Sequence, residues 1–397
     1  MTLLRNIKIA GDQVAADAGG RVRVSQVTTV FDGKILNEDL PILFDNQGTG
    51  TGTFTSNKYD MTVAAGQYLV RQSTRYGIYF SGKSQAVECT FDNFHAQANV
   101  TKRVGYFSSS AVAPYTATFD GFYLENDGTT IRLKIDRAGT NVINTAITAW
   151  DNFDLIDTYN WENFTVVLFD FLWLGGAVLR LFLKTDLGFV LCHTVDYSGT
   201  ATNTFTLSPN QPVRYEIRSS GGAGSLRYIC SQIATEGSID EAGRTGSTST
   251  TSTAIACNAI GTRYPVLSIR KKTTHRDIGA RILSVGIAVG TNNDILKWEA
   301  ILNPTVSAPL TYANNGYAIE RGIGNGVITI TGFPANSKIL ASGFAVYGTP
   351  LQTDFFNADY YSYLGTSLNN TQDVIVLSFM PLTANINTWS CINYKEY

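Results

Sequence analysis

Ile131-Arg132-Leu133-Lys134-Ile135-Asp136 alternates apolar and charged side chains without a break. Neighbouring side chains on an extended strand point to opposite faces, so this stretch reads as a strand with one face in a core and the other in water. Working outward from it, short runs rich in β-branched and aromatic residues recur at Val213–Ile217, Val266–Ile269, Val327–Thr331 and Val374–Phe379. Turn-forming residues separate them, including Asp127-Gly128, Asn325-Gly326 and Gly332 with Pro334. No amphipathic helix with a cap at both ends is visible. The pattern predicts an all-β chain, an antiparallel β-sandwich of jelly-roll type.

Residues 1–60 read differently. Gly48–Asn57 (GTGTGTFTSN) is dominated by Gly and Thr, and Asp12–Gly20 is small and weakly patterned. This predicts an extended N-terminal arm over 1–60, an attachment region that orders on docking to a neighbour, with a loosely packed lead-in to the main domain as the alternative. One large sandwich domain is then expected over 61–397. Within it, Gly243–Thr253 (GRTGSTSTTST) reads as a long surface loop, because strand-like pattern resumes on both sides, with a domain sub-boundary as the alternative.

Composition narrows the function classes. At 397 residues the chain is long enough to bury a core without disulfides or metals. Its charged fraction is 16%, below the usual ~25%. Much of its surface is therefore neutral and easily buried against copies or partners. With 30 basic and 32 acidic residues it lacks the basic excess of a nucleic-acid binder. Five scattered cysteines (Cys89, Cys192, Cys230, Cys257, Cys391), none in a Cys-x-x-Cys pair, predict buried thiols in a protein assembled in a reducing cytoplasm. Met1–Ala10 lacks the apolar core and small-residue cleavage site of a secretory signal, so classical secretion is not expected.

Several motifs suggest chemistry that their context does not support. Gly77–Ser84 (GIYFSGKS) matches the phosphate-loop expression, which needs a pliant loop running into a helix. Here Ile78, Tyr79 and Phe80 are bulky, and Ala86–Phe91 reads as strand. Phe164–Leu183 is as long as a membrane helix but contains Asp170, Arg180 and Gly175-Gly176. Two core strands joined at Gly-Gly are expected, with Trp173 opposite Val178 and Phe171 opposite Arg180. Asp151, Asp154, Asp157 and Glu162 could ligate calcium or serve a glycosidase, but read as a solvated loop before a buried strand. Glu236, Asp240 and Glu241 raise the same possibilities. His95, His193 and His275 are too scattered for a metal cluster, and Cys192-His193 would face opposite ways on a strand. Arg270-Lys271-Lys272 with His275 and Arg276 is the one basic cluster, expected in an exposed loop. Phe355, Phe356, Tyr360, Tyr361 and Tyr363 are expected in core or subunit packing, with a sugar- or protein-contact surface as the alternative. No catalytic, cofactor-binding or metal-ligating residue is assigned.

A group of segments in a fixed order resembles a family of tailed-phage virion structural proteins. They are Val70–Tyr76, Ser81–Gln85, Lys102–Phe107, Gly121–Tyr123 with Asp127–Thr129, Trp173–Gly175, Cys192-His193, Pro212–Ile217, and Ile229-Cys230 leading to Glu236-Gly237. Together they span roughly residues 20 to 305; Gly176–Arg180 departs from the family pattern, and nothing beyond about residue 310 resembles it. The resemblance implies a β-rich particle component with no nucleotide role for Gly82-Lys83-Ser84. It leads to the expectation of a non-enzymatic virion protein of head-fibre, capsid-decoration or tail-associated type, assembled in the host cytoplasm. Such a protein works as a symmetric homo-oligomer, a trimer being one arrangement, in contact with other virion proteins, without nucleic acid, membrane span or cofactor. The rival expectations are a receptor-binding adhesin recognising host-surface glycans and, behind it, a depolymerising tailspike using Asp151 or Asp154 with Glu162.

Overall fold

The computed structural model describes residues 17–18, 20, 23, 25–173, 178–238, 243–290, 295–354, 363–383 and 385–397. The chain divides into two compact units, Met1–Asp240 and Glu241–Tyr397. Every strand pairing closes inside one unit or the other.

The first unit contains β1 (Val27–Asp32), β2 (Phe44–Gly48), β3 (Thr51–Thr55), β4 (Lys58–Val63), β5 (Tyr68–Tyr76), β6 (Gln85–Asp92), β7 (Val100–Ser108), β8 (Asp120–Asn126), β9 (Ile131–Arg137), β10 (Thr140–Ala146), β11 (Thr165–Leu172), β12 (Val178–Thr185), β13 (Gly188–Asp196), β14 (Pro212–Ser219) and β15 (Gly224–Glu236). One sheet runs β13-β12-β11-β6-β15-β4-β3, with β1 joined to β15; the other runs β10-β9-β8-β7-β14-β5-β2. All the pairings are antiparallel, and rings from the two sheets meet between them. Phe122 of β8 packs on Phe169 and Phe171 of β11, Tyr106 of β7 on Phe171, and Tyr215 of β14 on Tyr228 of β15. This is the antiparallel sandwich that the alternation predicts, and β9 shows it directly, with Ile131, Leu133 and Ile135 buried and Arg132 and Lys134 half-buried.

The second unit contains β16 (Arg244–Ser249), β17 (Ile255–Cys257), β18 (Tyr264–Lys271), β19 (Ala280–Val289), β20 (Ile295–Leu302), β21 (Thr305–Val306), β22 (Tyr312–Asn314), β23 (Ile319–Ile323), β24 (Ile330–Gly332), β25 (Lys338–Val346), β26 (Leu351–Asp354), β27 (Val374–Pro381) and β28 (Ile386–Glu396). A sheet ordered β16-β28-β19-β26, with β17 also on β28, packs on one ordered β22-β23-β18-β27-β20-β25. The strands β21 and β24 pair separately.

Several expectations need correction. The arm over 1–60 is not one: Val27–Val63 contributes β1 to β4 to both sheets of the first unit, while residues 1–16 lie outside the described residues. The Gly- and Thr-rich stretch forms a hairpin whose Ser56-Asn57 turn has φ of 47° and 71°, the left-handed pair a two-residue turn requires. Residues 61–397 are not one domain: the chain divides at 240/241, close to the sub-boundary that was the alternative reading of Gly243–Thr253. The stretch after Gly243 is strand β16 on β28, not a loop, because Thr and Ser alternate on an edge whose inner neighbours, Ile392 and Tyr394, supply the burial. The hairpin at Phe164–Leu183 exists with its register shifted by one. Leu172 pairs with Val178, Phe171 with Leu179 and Asp170 with Arg180, so charge meets charge where an aromatic contact was expected. Of Val327–Thr331 only the end is strand (β24), and Val327 is exposed.

No disulfide joins the cysteines. Burial pushes the thiols of Cys89, Cys192 and Cys257 up to about 12, leaving them protonated and shielded at neutral pH. A thiol reagent such as DTNB should therefore leave these three unlabelled in the native protein and react with all five cysteines in concentrated guanidinium. Rapid native labelling of Cys89 would contradict the packing around β6.

Candidate functional site

The outer face of the β10-to-β2 sheet carries an unusual density of buried charge. Alternation along β14 sends Val213, Tyr215 and Ile217 inward and Arg214, Glu216 and Arg218 outward, and the outward set is covered by residues 109–119. Arg214 Nη1 donates to Ser109 Oγ at 2.7 Å and Nη2 to the Tyr115 carbonyl at 2.9 Å. Glu216 is 0% exposed and accepts from Arg103 (2.6 Å), Arg214 (2.5 Å) and Arg218. Glu125 is held by Arg103 at 2.6 Å and Lys134 at 3.1 Å. Burial alone would raise the Glu216 carboxyl, but Arg214, Arg103 and Arg218 hold it at about 2. A carboxylate so far below neutral, with its oxygens already bonded, is poorly matched to proton transfer at neutral pH. These groups pin the 109–119 segment to the sheet.

An open cleft of about 370 Å³ lies at one end of the first unit, near the lower end of the ~300–1,000 Å³ typical of ligand pockets. One wall is the β9–β10 hairpin, whose turn, Ala138-Gly139, has φ of 47° and 86°. Arg137 continues the inward parity of Ile131, Leu133 and Ile135, but lies where the core ends, so its guanidinium enters the cleft half-exposed. The facing wall is the segment after β13, with Tyr197 and residues 200–204. Tyr197 lies against Phe205 at 6.2 Å, and buried Phe205 packs in turn on Phe122 of the core at 6.4 Å. Asp120 ties the two walls together. Its carboxylate accepts from the amides of Ala138 (3.1 Å), Leu207 (2.7 Å) and Ser208 (3.1 Å) and from the Gln211 side chain (2.5 Å). Burial nevertheless leaves the Asp120 carboxyl above its ordinary value, against the pull of those four donors.

Arg137 bonds through Nε to Thr204 Oγ1 at 3.4 Å, and among the described residues no carboxylate pairs with it. Arg23, Arg71, Arg103, Arg132, Arg180, Arg214, Arg218 and Arg227 of the same unit each hold an acid. Sequence reasoning missed this site. The available signal was an arginine in inward register at the end of an alternating strand, just before a turn.

The residues singled out from sequence disperse. Gly77–Ser84 leads into strand β6 with no helix, and Ser84 is buried, donating to Asp170 Oδ1 at 2.6 Å. Asp151, Asp154, Asp157 and Glu162 lie exposed before β11, as expected of a solvated loop; Asp151 accepts from the Thr194 amide at 2.8 Å and meets His193 Nδ1 at 3.0 Å. Glu236 meets Arg23 at 2.8 Å, and Asp240 and Glu241 lie outside the described residues. The basic cluster is only partly a loop, with Lys272, His275 and Arg276 half-buried in the turn after β18. Arg270 and Lys271 belong to β18; Arg270 pairs with Glu320 at 2.8 Å, and Lys271, 1% exposed, donates to the carbonyls of Arg276 (2.6 Å) and Ile278 (3.3 Å). Phe355, Phe356, Tyr360 and Tyr361 lie outside the described residues, while Tyr363 packs on Tyr397 at 6.4 Å. Among the described residues no group of three or more His, Cys, Asp or Glu could hold a metal ion, and no helix is long and apolar enough to cross a membrane.

The second unit offers a surface of another kind. Its strand β25 is nine residues long and ends its sheet, with no strand paired to its outer side among the described residues. Phe344 is 64% exposed and Val346 45%, beside exposed Ile295 of β20, Tyr347 and Leu382. Val346 pairs with Ile295, and the Leu382 amide donates to the Ile295 carbonyl at 3.0 Å, which gathers these groups at one end of the edge.

No family model matches the chain, and no curated protein matches it. Among solved structures, the Emp47p carbohydrate recognition domain is similar over 54% of this chain and 98% of its own, at 10% identity and a TM-score of 0.38. The VIP36 exoplasmic/lumenal domain in its Ca²⁺/Man3GlcNAc-bound form is similar over 53% of this chain and 90% of its own, at 12% identity and a TM-score of 0.35. A protein of unknown function, SO2946 from Shewanella oneidensis MR-1, is similar over 55% of this chain and 82% of its own, at 11% identity and a TM-score of 0.33. Likenesses at these scores carry no inference about this chain.

Proposed function

We propose that this chain is a non-enzymatic structural component of a tailed-phage virion, of head-fibre, capsid-decoration or tail-associated type, acting by assembly with copies of itself and other virion proteins. The observation that carries the assembly reading is the open edge of β25. Edge strands in soluble proteins are ordinarily blunted by charge, proline or a covering element. Lys338, at its far end, is the one charged residue in β25. A second copy meets little electrostatic opposition there, while the main chain, unpaired on its outer side among the described residues, and Phe344, Val346 and Ile295 provide hydrogen bonds and apolar area together. Burying an exposed Phe or Val of this kind is worth roughly 1.5–3 kcal/mol each. The ordered resemblance of residues 20 to 305 to virion proteins supports placing this assembly on a particle.

Light scattering behind size exclusion should give one discrete oligomer at micromolar concentration. Phe344→Glu should weaken it by at least ~2 kcal/mol per contact, about thirtyfold in dissociation constant, with an unchanged circular dichroism spectrum. A wild-type monomer that binds no particle would overturn the proposal, as would density in intact virions that leaves no place for this chain. The second reading, recognition of host-surface glycans, has one observation in its favour: the cleft between Arg137 and Tyr197.

A further inference from the structure

We infer that the cleft at Arg137 and Tyr197 binds a carboxylate-bearing sugar, a uronic or sialic acid residue of a surface polysaccharide. This rests on the glycan reading and not on the assembly reading. Three features of the cleft converge on that ligand class.

The first is the guanidinium of Arg137. Each of the eight arginines of this unit named above is matched by an acid, whereas the Arg137 guanidinium hydrogen-bonds to the Thr204 hydroxyl and meets no acid among the described residues. Its Nη atoms are available as the planar fork that receives a carboxylate with two parallel hydrogen bonds. The second is the ring of Tyr197, held by Phe205 and through it by the core, so its orientation is set before a ligand arrives. Burial also holds its hydroxyl protonated well above neutral pH. A pre-set aromatic face suits the apolar C–H face of a pyranose, with little ordering cost on binding. The third is the chemistry of the remaining lining: the hydroxyls of Thr140, Thr200 and Thr202 and the amide of Asn203 both donate and accept, as sugar hydroxyls do. A phosphate site would show further cations or a run of main-chain amides. An apolar-ligand site would show more than Val142 and Ala201 among its side chains.

The test uses the full chain, with saturation-transfer NMR and calorimetry against methyl β-D-glucuronide, N-acetylneuraminic acid, methyl β-D-glucoside and acetate. At least one of the two acidic sugars is expected to bind with a millimolar dissociation constant, and which one binds identifies the source. The glucoside and acetate should each bind at least about tenfold more weakly. Arg137→Gln, at a half-exposed position, should abolish that preference while leaving the melting temperature unchanged. Tyr197→Ala should weaken every sugar, and Tyr197→Phe should restore the stack if the alanine variant is unstable. Equal binding of glucoside and glucuronide would overturn the inference and leave the glycan reading standing. Acetate binding as well as the glucuronide would overturn it by showing a bare anion site, and a preference that survives Arg137→Gln would place recognition elsewhere. Absence of binding by all three sugars would overturn both the inference and the glycan reading.

Discussion

Glu216→Ala should destabilise the first unit by about 3–5 kcal/mol, the range for removing one partner of a buried ion pair. Its carboxylate sits at 0% exposure between Arg103, Arg214 and Arg218, and its loss leaves Arg214, itself fully buried, without its carboxylate partner beside Arg103 and Arg218, of which Arg103 keeps Glu125. At about 2–4 °C per kcal/mol for a unit of this size, the melting temperature should fall by roughly 10 °C. Glu216→Gln keeps the shape and loses only the charge, so the difference between the two variants isolates the electrostatic part. The pH dependence has a definite sign. The carboxyl is depressed from the usual 4.5 to about 2 in the folded state, so its stabilising contribution is present above 4.5 and is lost as the pH falls toward 2. Urea titrations of wild type and Glu216→Ala between these values should converge as the pH drops. Parallel curves across that window would show that Glu216 titrates alike folded and unfolded.

Phe122→Ala should cost about 3–5 kcal/mol, as truncation of a buried aromatic does. The ring is 1% exposed and touches Tyr106, Phe169, Phe171 and Phe205, so the cavity would open at the meeting point of both sheets. Phe122→Leu keeps most of the volume and should cost less. Because Phe205 rests on Phe122 and Tyr197 on Phe205, the alanine variant should also loosen the wall of the Arg137 cleft. Sugar binding should therefore weaken along with stability, although residue 122 lies outside the cleft. A loss below about 1 kcal/mol in chemical denaturation would mean that the aromatic cluster repacks and is not the keystone of the sandwich.

The two variants also show what was legible beforehand. Phe122 belongs to Gly121-Phe122-Tyr123, a run visible in the sequence, but all seven residues of β8 are buried, so alternation did not single out its ring as the one between the two sheets. Glu216 was visible only as one letter of an outward-facing strand register, where solvent was the natural assumption. Its burial depends on residues 109–119, a segment with no periodic pattern, folding over the sheet. The hairpin at Gly48–Asn57 and the strand Arg244–Ser249, which pairs with β28, were missed for a related reason. Hydrophobic alternation marks strands that bury their own side chains, whereas these Thr-, Ser- and Gly-rich strands are held mainly by main-chain pairing and by their neighbours' burial. The hairpin at Phe164–Leu183 was correct in kind and wrong in register by one residue, because the count across its connection, and not its strands, sets the pairing.

By itself the sequence determined the all-β class, the sandwich, the strand identity of Gly77–Ser84's continuation and the burial of most cysteines, since all of these follow from local period and side-chain volume. Only the tertiary structure decided between a loop and a domain boundary near residue 240, that eight arginines of the first unit find acids while Arg137 pairs with none among the described residues, and that β25 ends its sheet with an apolar edge. Those facts depend on which distant strands lie side by side. Pairing across tens to hundreds of residues is set by competition among similar alternating segments for the same partners, and no local pattern records its outcome.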